Sequence, residues 1–289
     1  MVYKIDWVRI RVSDNAFSTI MQILLTNDDG IHSEGLWALY RRFSRKHTVT
    51  VVAPDRERSA IGHGITLDRP LRAFEVAVGN GFRGFAVTGT PADCIKLGVL
   101  EILRYRPDLV ISGINAGINV GININYSGTV AGAREAALNG IAAAAVSVQG
   151  GTIACYEDAA AFTELLSERI FQRGLPFGTF LNVNIPDCSS GAIRGIRISR
   201  QGVALFSEYF EKRKDPRDRT YYWQGCDMQP FTDDSEIDGD ALRQRFISIT
   251  PIKCDTTDYA AIEAVKSWKM SLQEGICDEE NILQLHKDG

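Results

Sequence analysis

Four short stretches hold the residue types in this chain that could do chemistry: Asn27-Asp28-Asp29-Gly30; Asp55, Arg56, Arg58 and Ser59; Ser112, Gly113, Asn115 and Gly117; and Asn125-Tyr126-Ser127-Gly128-Thr129. Two adjacent carboxylates in a tight turn repel each other, and a bound divalent cation relieves that repulsion. The surrounding donors are Asp, Asn, Ser and backbone oxygens, the hard set that suits Mg2+ or Mn2+ rather than zinc or copper. Taken alone, Asp-Asp-Gly also reads as a plain polar turn. The fourth stretch runs directly into a helical pattern at Val130 and Ala131, which places its N–H groups at a helix N-terminus. Gly128 permits close approach there, and the Ser127 and Thr129 hydroxyls can donate, so the stretch reads as an anion cradle or as a simple helix cap.

Other chemistries find less support. Gly113, Gly117, Gly121, Gly128 and Gly132 match neither the dinucleotide-binding nor the P-loop glycine spacing. No G-x-S-x-G elbow is present, and the four histidines have no evident nucleophile partner. His63, between Gly62 and Gly64, reads as a surface or structural histidine, with proton donor or phosphate contact as the alternative; His32 carries the same two readings. A haloacid-dehalogenase-type phosphatase would want Asp-x-Asp after its first strand, whereas the acids here are adjacent. Ile118, Val120, Ile122 and Ile124 alternate with Asn119, Gly121, Asn123 and Asn125, which predicts an extended loop with one polar face.

The elements that position these stretches are legible from apolar spacing. Ile23-Leu24-Leu25 predicts a buried parallel strand. Leu36, Leu39, Tyr40 and Phe43 recur at helical spacing, with Arg41, Arg42, Arg45 and Lys46 on the outer face and in the last turn. Residues 49–53 give a second strand, so the opening is a βαβ unit. Thr90-Pro91-Ala92-Asp93 supplies an N-cap, a Pro at the first helical position and an acid near the third. Strands at 108–112 and 141–148 and helices at 129–139 and 156–171 extend an α/β, Rossmann-like, mostly parallel sheet with helices on both faces. Ligands bind outside the carboxyl ends of such strands, where the first three stretches fall. After Pro186 short β-prone pieces predict a smaller, mixed β-rich C-terminal part. Within it residues 210–219 read as a solvated loop, with an exposed hairpin arm as the alternative. The expected division is an extension over 1–20, a metal- and phosphate-binding core over 21–185, a mixed part over 186–270, in which the resemblance given below implies an oligomerisation arm, and a polar tail over 271–289.

Composition narrows the partners. With 32 basic against 36 acidic residues the net charge is −4, which lacks the basic excess that binds long nucleic acid. Six scattered cysteines without a C-x-x-C pair read as free thiols in a reducing compartment. No apolar run approaches the roughly 18 residues of a membrane span, and residues 1–20 lack a secretory signal's continuous apolar stretch, so a cytoplasmic protein is expected.

Five segments carry a resemblance: Met21-Gln22-Ile23-Leu24-Leu25-Thr26-Asn27-Asp28-Asp29-Gly30-Ile31, Val52-Ala53-Pro54-Asp55-Arg56-Glu57-Arg58-Ser59, Gly89-Thr90-Pro91-Ala92-Asp93-Cys94, Ser112-Gly113-Ile114-Asn115-Ala116-Gly117 and Tyr126-Ser127-Gly128-Thr129-Val130-Ala131. In this order they resemble the SurE family of 5′-nucleotidases, the stationary-phase survival proteins. With Ile247-Ser248-Ile249-Thr250-Pro251-Ile252 the likeness covers residues 21–268. It implies a cation held by Asp28, Asp29, Ser59 and Asn115, with Asn27, Ser127, Gly128 and Thr129 at the phosphate. It also implies a homodimer or homotetramer with exchanged C-terminal segments. Two departures bear on substrate preference: His63 stands where family loops usually carry small polar residues, and residues 121–125 lack the acids some members carry.

The expectation is therefore a metal-dependent phosphomonoesterase that hydrolyses nucleoside 5′-monophosphates to nucleoside and phosphate, with short polyphosphate as a further substrate class. It takes one divalent cation, Mg2+ or Mn2+, per subunit, with Asp28, Asp29 and Asn115 as catalytic residues. Water and Asp28 both remain open as the attacking group. The rival from another class is a non-catalytic nucleotide-binding regulatory module.

Overall fold

The computed structural model describes residues 20–78, 81–150, 152–187, 193–203, 208–226, 234 and 236–270. Most of the expected N-terminal extension and all of the polar tail lie outside the described residues.

Strand β1 (Gln22–Thr26) is buried from its second residue on, with Leu24 and Leu25 fully enclosed. Each such leucine contributes roughly 1.5–3 kcal/mol by leaving water. Helix α1 (Glu34–Phe43) follows, then β2 (Thr48–Pro54), the antiparallel pair β3 (Ala73–Val78) and β4 (Phe82–Val87), and α2 (Pro91–Leu97). The predicted capping box forms: Thr90 Oγ1 accepts the Asp93 N–H at 3.1 Å, and Asp93 Oδ2 accepts the Thr90 N–H at 2.9 Å. Strand β5 (Leu109–Ala116), helix α3 (Gly128–Leu138), β6 (Ala142–Val148), the long α4 (Ile153–Arg173) and β7 (Thr179–Ile185) complete the alternating part. Then come β8 (Gly195–Ile198), β9 (Glu208–Lys214), β10 (Thr220–Cys226), α5 (Asp238–Arg243) and β11 (Phe246–Lys253).

Among the described residues nine strands form one sheet in the order β3-β4-β2-β1-β5-β6-β7-β11-β8, antiparallel only at β3–β4 and β7–β11. The α/β, Rossmann-like reading with helices on both faces therefore holds. Alternation along β1 feeds two cores. Ile23 and Leu25 join Leu36, Leu39 and Phe43 of α1 on one face, while Leu24 joins Val110, Val130 and Ala133 on the α3 face. Strands β8 and β11, from the stretch read as a separate mixed part, add to this same sheet through β7.

Two expectations are corrected. Residues 210–219 do not make a solvated loop: β9 and β10 pair antiparallel, and the intervening turn is held by Asp215, whose carboxylate accepts the N–H groups of Arg217 and Arg219. The extended loop expected over 118–125 is instead a 3-10 turn at Gly121–Asn125. Its alternation fails because Asn119 turns inward to buried polar partners: its carbonyl accepts from the amides of Asn182 and Asn184 at 2.8 and 2.9 Å. Residues 255–270 form a compact unit of their own around helix α6 (Tyr259–Lys266), whose Asp258 accepts the N–H groups of Ala260 and Ala261. No helix among the described residues is long and apolar enough to cross a membrane.

Candidate active site

The chain runs from β1 outward to β2 and β4, then returns to place β5 on the other side of β1. That reversal leaves a crevice between the carboxyl ends of β1 and β5, where open α/β sheets bind ligands. Pairing of Thr26 with Ser112 sets Asn27, Asp28 and Asp29 beside Gly113 to Asn115.

The turn after β1 is fixed by Asn27. Its Oδ1 accepts the Gly30 N–H at 3.2 Å, and its Nδ2 donates to the Gly30 carbonyl at 3.0 Å and to Ser33 Oγ at 2.5 Å. Asn27 is fully buried, so here it shapes the turn. Gly30 has φ +97°, and a Cβ there would lie 3.0 Å from the Arg56 carbonyl carbon, so the turn needs glycine. The loop after β2 is pinned over this turn by two backbone bonds, Ile31 N–H to the Pro54 carbonyl at 2.8 Å and Arg58 N–H to the Asp28 carbonyl at 2.7 Å.

Asp28, 5% exposed, faces the start of α3. A Cβ on Gly128 would fall 2.7 Å from Asp28 Cβ and 2.9 Å from its Oδ2, so helix and carboxylate meet only because residue 128 has no side chain. The Thr129 hydroxyl donates to Asp28 Oδ1, and Ser127 Oγ accepts the Val130 N–H at 3.1 Å as the N-cap. A helix N-terminus favours an anion at this point. Burial nevertheless pushes the Asp28 carboxyl above its ordinary range, against the lowering effect of its hydrogen bonds. Asp29 is pushed up to about 6, by burial first and then by the charges of Asp28 and Glu57. Among the described residues Asp29 makes no hydrogen bond or ion pair.

Asn115, half-buried at the end of β5, donates through Nδ2 to the Gly117 carbonyl at 2.7 Å, which leaves its Oδ1 without a hydrogen bond among the described residues. Ser59 is exposed on the pinned loop and donates to Glu57 Oε1 at 2.6 Å. The structure thus joins Asp28, Gly128 and Thr129 by direct contact and sets Asp29, Asn115 and Ser127 on adjoining segments. Ser59 reaches the same edge on a loop whose side chain turns to Glu57.

No three His, Cys, Asp or Glu side chains converge into a metal-holding group among the described residues. A cation here would rely on two carboxylates and neutral oxygens. The fit is sound on chemistry: among the described residues no Lys, Arg or His charge acts on Asp28 or Asp29, and the Asn115 Oδ1 and Ser59 Oγ oxygens are hard donors.

Sequence reasoning missed Glu57 and Tyr156. The Glu57 charge acts on both acids, and its signal was an acid within the loop after β2. The Tyr156 phenol is raised by burial and then by the charges of Asp29 and Glu34; in the sequence it marked only the start of the helix expected over 156–171. His63 lies 2.8 Å from Glu135 on α3, while His32 is exposed. Among the described residues Cys94, Cys155 and Cys254 are free thiols. A cavity of about 390 Å³ lined by Tyr105, Arg106, Ile141, Ile170 and Phe171 opens at the amino ends of β5 and β6, the edge opposite the acids.

The chain is similar to known proteins over most of its length. The model of the family described as survival protein SurE matches residues 23–208, well over half of the chain. A protein of Desulfatibacillum aliphaticivorans named 5′-nucleotidase SurE is 57% identical over 250 residues, covering 86% of this chain and 99% of that one. One of the same name from Heliobacterium modesticaldum is 47% identical over 249 residues, covering 86% and 92%. The crystal structure of the SurE protein from Aquifex aeolicus superposes with a TM-score of 0.75 at 36% identity, covering 86% of this chain and 99% of that chain.

Proposed function

The chain belongs to the SurE family, and on that premise we propose that it is a phosphoric monoester hydrolase acting on nucleoside 5′-monophosphates with one divalent cation, Mg2+ or Mn2+. Relatives named 5′-nucleotidase support the activity. The observation that carries the reading is the Asp28-Asp29 pair, Asp28 buried and Asp29 half-buried, lifted in pKa beside Glu57, with Asp28 set against the N-terminus of α3.

Asp28, Asp29, Ser59 and Asn115 would hold the cation. When bound, it draws charge from a phosphate oxygen and offsets the charge that accumulates in phosphoryl transfer. The chain's own groups do the rest. Thr129 fixes the Asp28 carboxylate by donating to Oδ1, so that this oxygen is oriented before substrate arrives. Gly128 brings the first amides of α3 close, where their N–H groups and the Ser127 hydroxyl can take the phosphate oxygens. Asn27 contributes by holding the turn that aims both acids.

The same reading covers assembly as a homodimer or homotetramer. It is supported by the aromatic surface of the β9–β10 hairpin, where Tyr209, Phe210, Tyr222 and Trp223 are all exposed. A cytoplasmic location, and short polyphosphate as an additional substrate, belong to this proposal too.

Release of phosphate from AMP, followed with and without Mn2+, tests the activity. Turnover should need the metal and be abolished by Asp28→Asn or Asn115→Ala in folded protein. Nucleotide binding without any release in wild type would mark a binding module instead.

A further inference from the structure

The loop from Asp55 to Thr66 carries Ser59 and is tied down by seven hydrogen bonds at six of its residues. Asp55 N–H donates to the Val87 carbonyl at 2.8 Å, and Arg58 N–H donates to the Asp28 carbonyl at 2.7 Å. Beyond Ser59, Gly62 N–H donates to the Tyr126 carbonyl at 2.9 Å, and His63 Nε2 meets Glu135 Oε2 at 2.8 Å. Thr90 Oγ1 donates to the Gly64 carbonyl at 2.8 Å, while Thr66 donates to Asp93 from its N–H at 3.1 Å and its hydroxyl at 2.6 Å. Residues 59–61 alone lie between the Arg58 and Gly62 anchors. Ala60 and Gly62 both take left-handed backbone, with φ of 56° and 59°, so the chain reverses sharply around Ser59.

On this geometry we infer that the His63–Glu135 contact is a latch that fastens the Ser59 loop to helix α3, making His63 a positioning residue for the cation site. The inference rests on the proposed role of Ser59 as a cation donor. Glu135 is built for the task. It is 4% exposed, and it takes Lys96 Nζ and Asn139 Nδ2 on Oε1, each at 2.9 Å, leaving Oε2 for His63. Burial alone would raise this carboxyl, yet the His63 and Lys96 hydrogen bonds hold it at about 2, so it stays charged. It also lies seven residues beyond Gly128, about 10 Å along the helix axis. With Nε2 committed to a carboxylate at that distance, His63 acts on the loop rather than on phosphate.

The latch can be opened without breaking the fold, because Glu135 keeps Lys96 and Asn139 when His63 is removed. His63→Ala should weaken Mn2+ binding about tenfold, roughly 1.4 kcal/mol, read by electron paramagnetic resonance of free Mn2+. His63→Gln, whose amide N–H can still reach Glu135, should restore affinity to within about twofold. KM for AMP should rise with the Mn2+ dissociation constant in His63→Ala, while the metal-free protein still unfolds cooperatively, its thermal midpoint lowered by the lost Glu135 hydrogen bond. Ser59→Ala separates the two levels. If it weakens Mn2+ binding but His63→Ala does not, the cation set stands and the latch is overturned. If Ser59→Ala leaves binding unchanged, Ser59 is no donor and the latch loses its stated purpose with it. Equal weakening in His63→Ala and His63→Gln would also overturn it.

Discussion

Replacing Asp28 by Asn should stabilise the metal-free protein and destroy its function. Asp29 is raised from 3.8 to about 6, with burial the largest cause and the Asp28 charge the next. An acid whose folded pKa lies above its unfolded value destabilises the fold above about pH 6, and that penalty disappears as pH falls toward 3.8. The whole shift corresponds to about 3 kcal/mol, of which the Asp28 charge is one part and solvent screening of half-buried Asp29 removes more, leaving about 1 kcal/mol. Asp28→Asn removes this repulsion together with its own buried charge, and Asn keeps an acceptor oxygen for Thr129. The metal-free variant should therefore melt about 2–4 °C above wild type at pH 7.5. Mn2+ at a hundred times its dissociation constant should stabilise wild type by about 2.7 kcal/mol and leave the variant unmoved, which reverses the ranking. Differential scanning calorimetry with and without Mn2+ reads both effects. A metal-free variant that melts below wild type, with equal stabilisation of both by Mn2+, would refute the reasoning.

Further predictions follow from other contacts. Gly128→Ala puts a methyl 2.7 Å from Asp28 Cβ, so it should destabilise by about 1–2 kcal/mol after the gain in helix propensity, and lower AMP hydrolysis more than tenfold in a steady-state assay. Glu135 sits at about 2 in the fold against 4.5 ordinarily, so its contribution of up to about 3 kcal/mol is complete above pH 4.5 and is lost as pH falls toward 2. Urea unfolding at pH 5 and pH 3 should show this loss in wild type and much less of it in Glu135→Gln. Trp223→Asp on the exposed hairpin should shift the protein toward monomer in sedimentation equilibrium while β1 to β7 keep their fold.

Much of the architecture was legible because apolar spacing and capping act locally. β1, α1, β2, the Thr90-Asp93 box, α3, β6 and α4 all lie where their side chains predicted them. The strand β7 escaped notice because Asn182 and Asn184 occupy inward positions, where only a partner from the distant Asn119 segment makes burial tolerable. The β9–β10 hairpin read as solvated because Glu211, Lys212 and Arg213 look like a charge run, and its register with Tyr221, Tyr222 and Trp223 is a pairing property. At the site, adjacency made Asp28 and Asp29 visible. What the sequence could not show was that Asn27 bonds within its own turn, that Thr129 donates to a carboxylate 101 residues away, or that His63 meets Glu135 across 72 residues. The last two need the sheet order before they have meaning.

The most direct test is a crystal structure grown with Mn2+, the ion located by its anomalous scattering. The account predicts one ion within about 2.0–2.4 Å of oxygens from Asp28, Asp29, Ser59 and Asn115, next to the first turn of α3. An ion bound elsewhere, or Asp28 and Asn115 pointing apart with nothing between them, would contradict it.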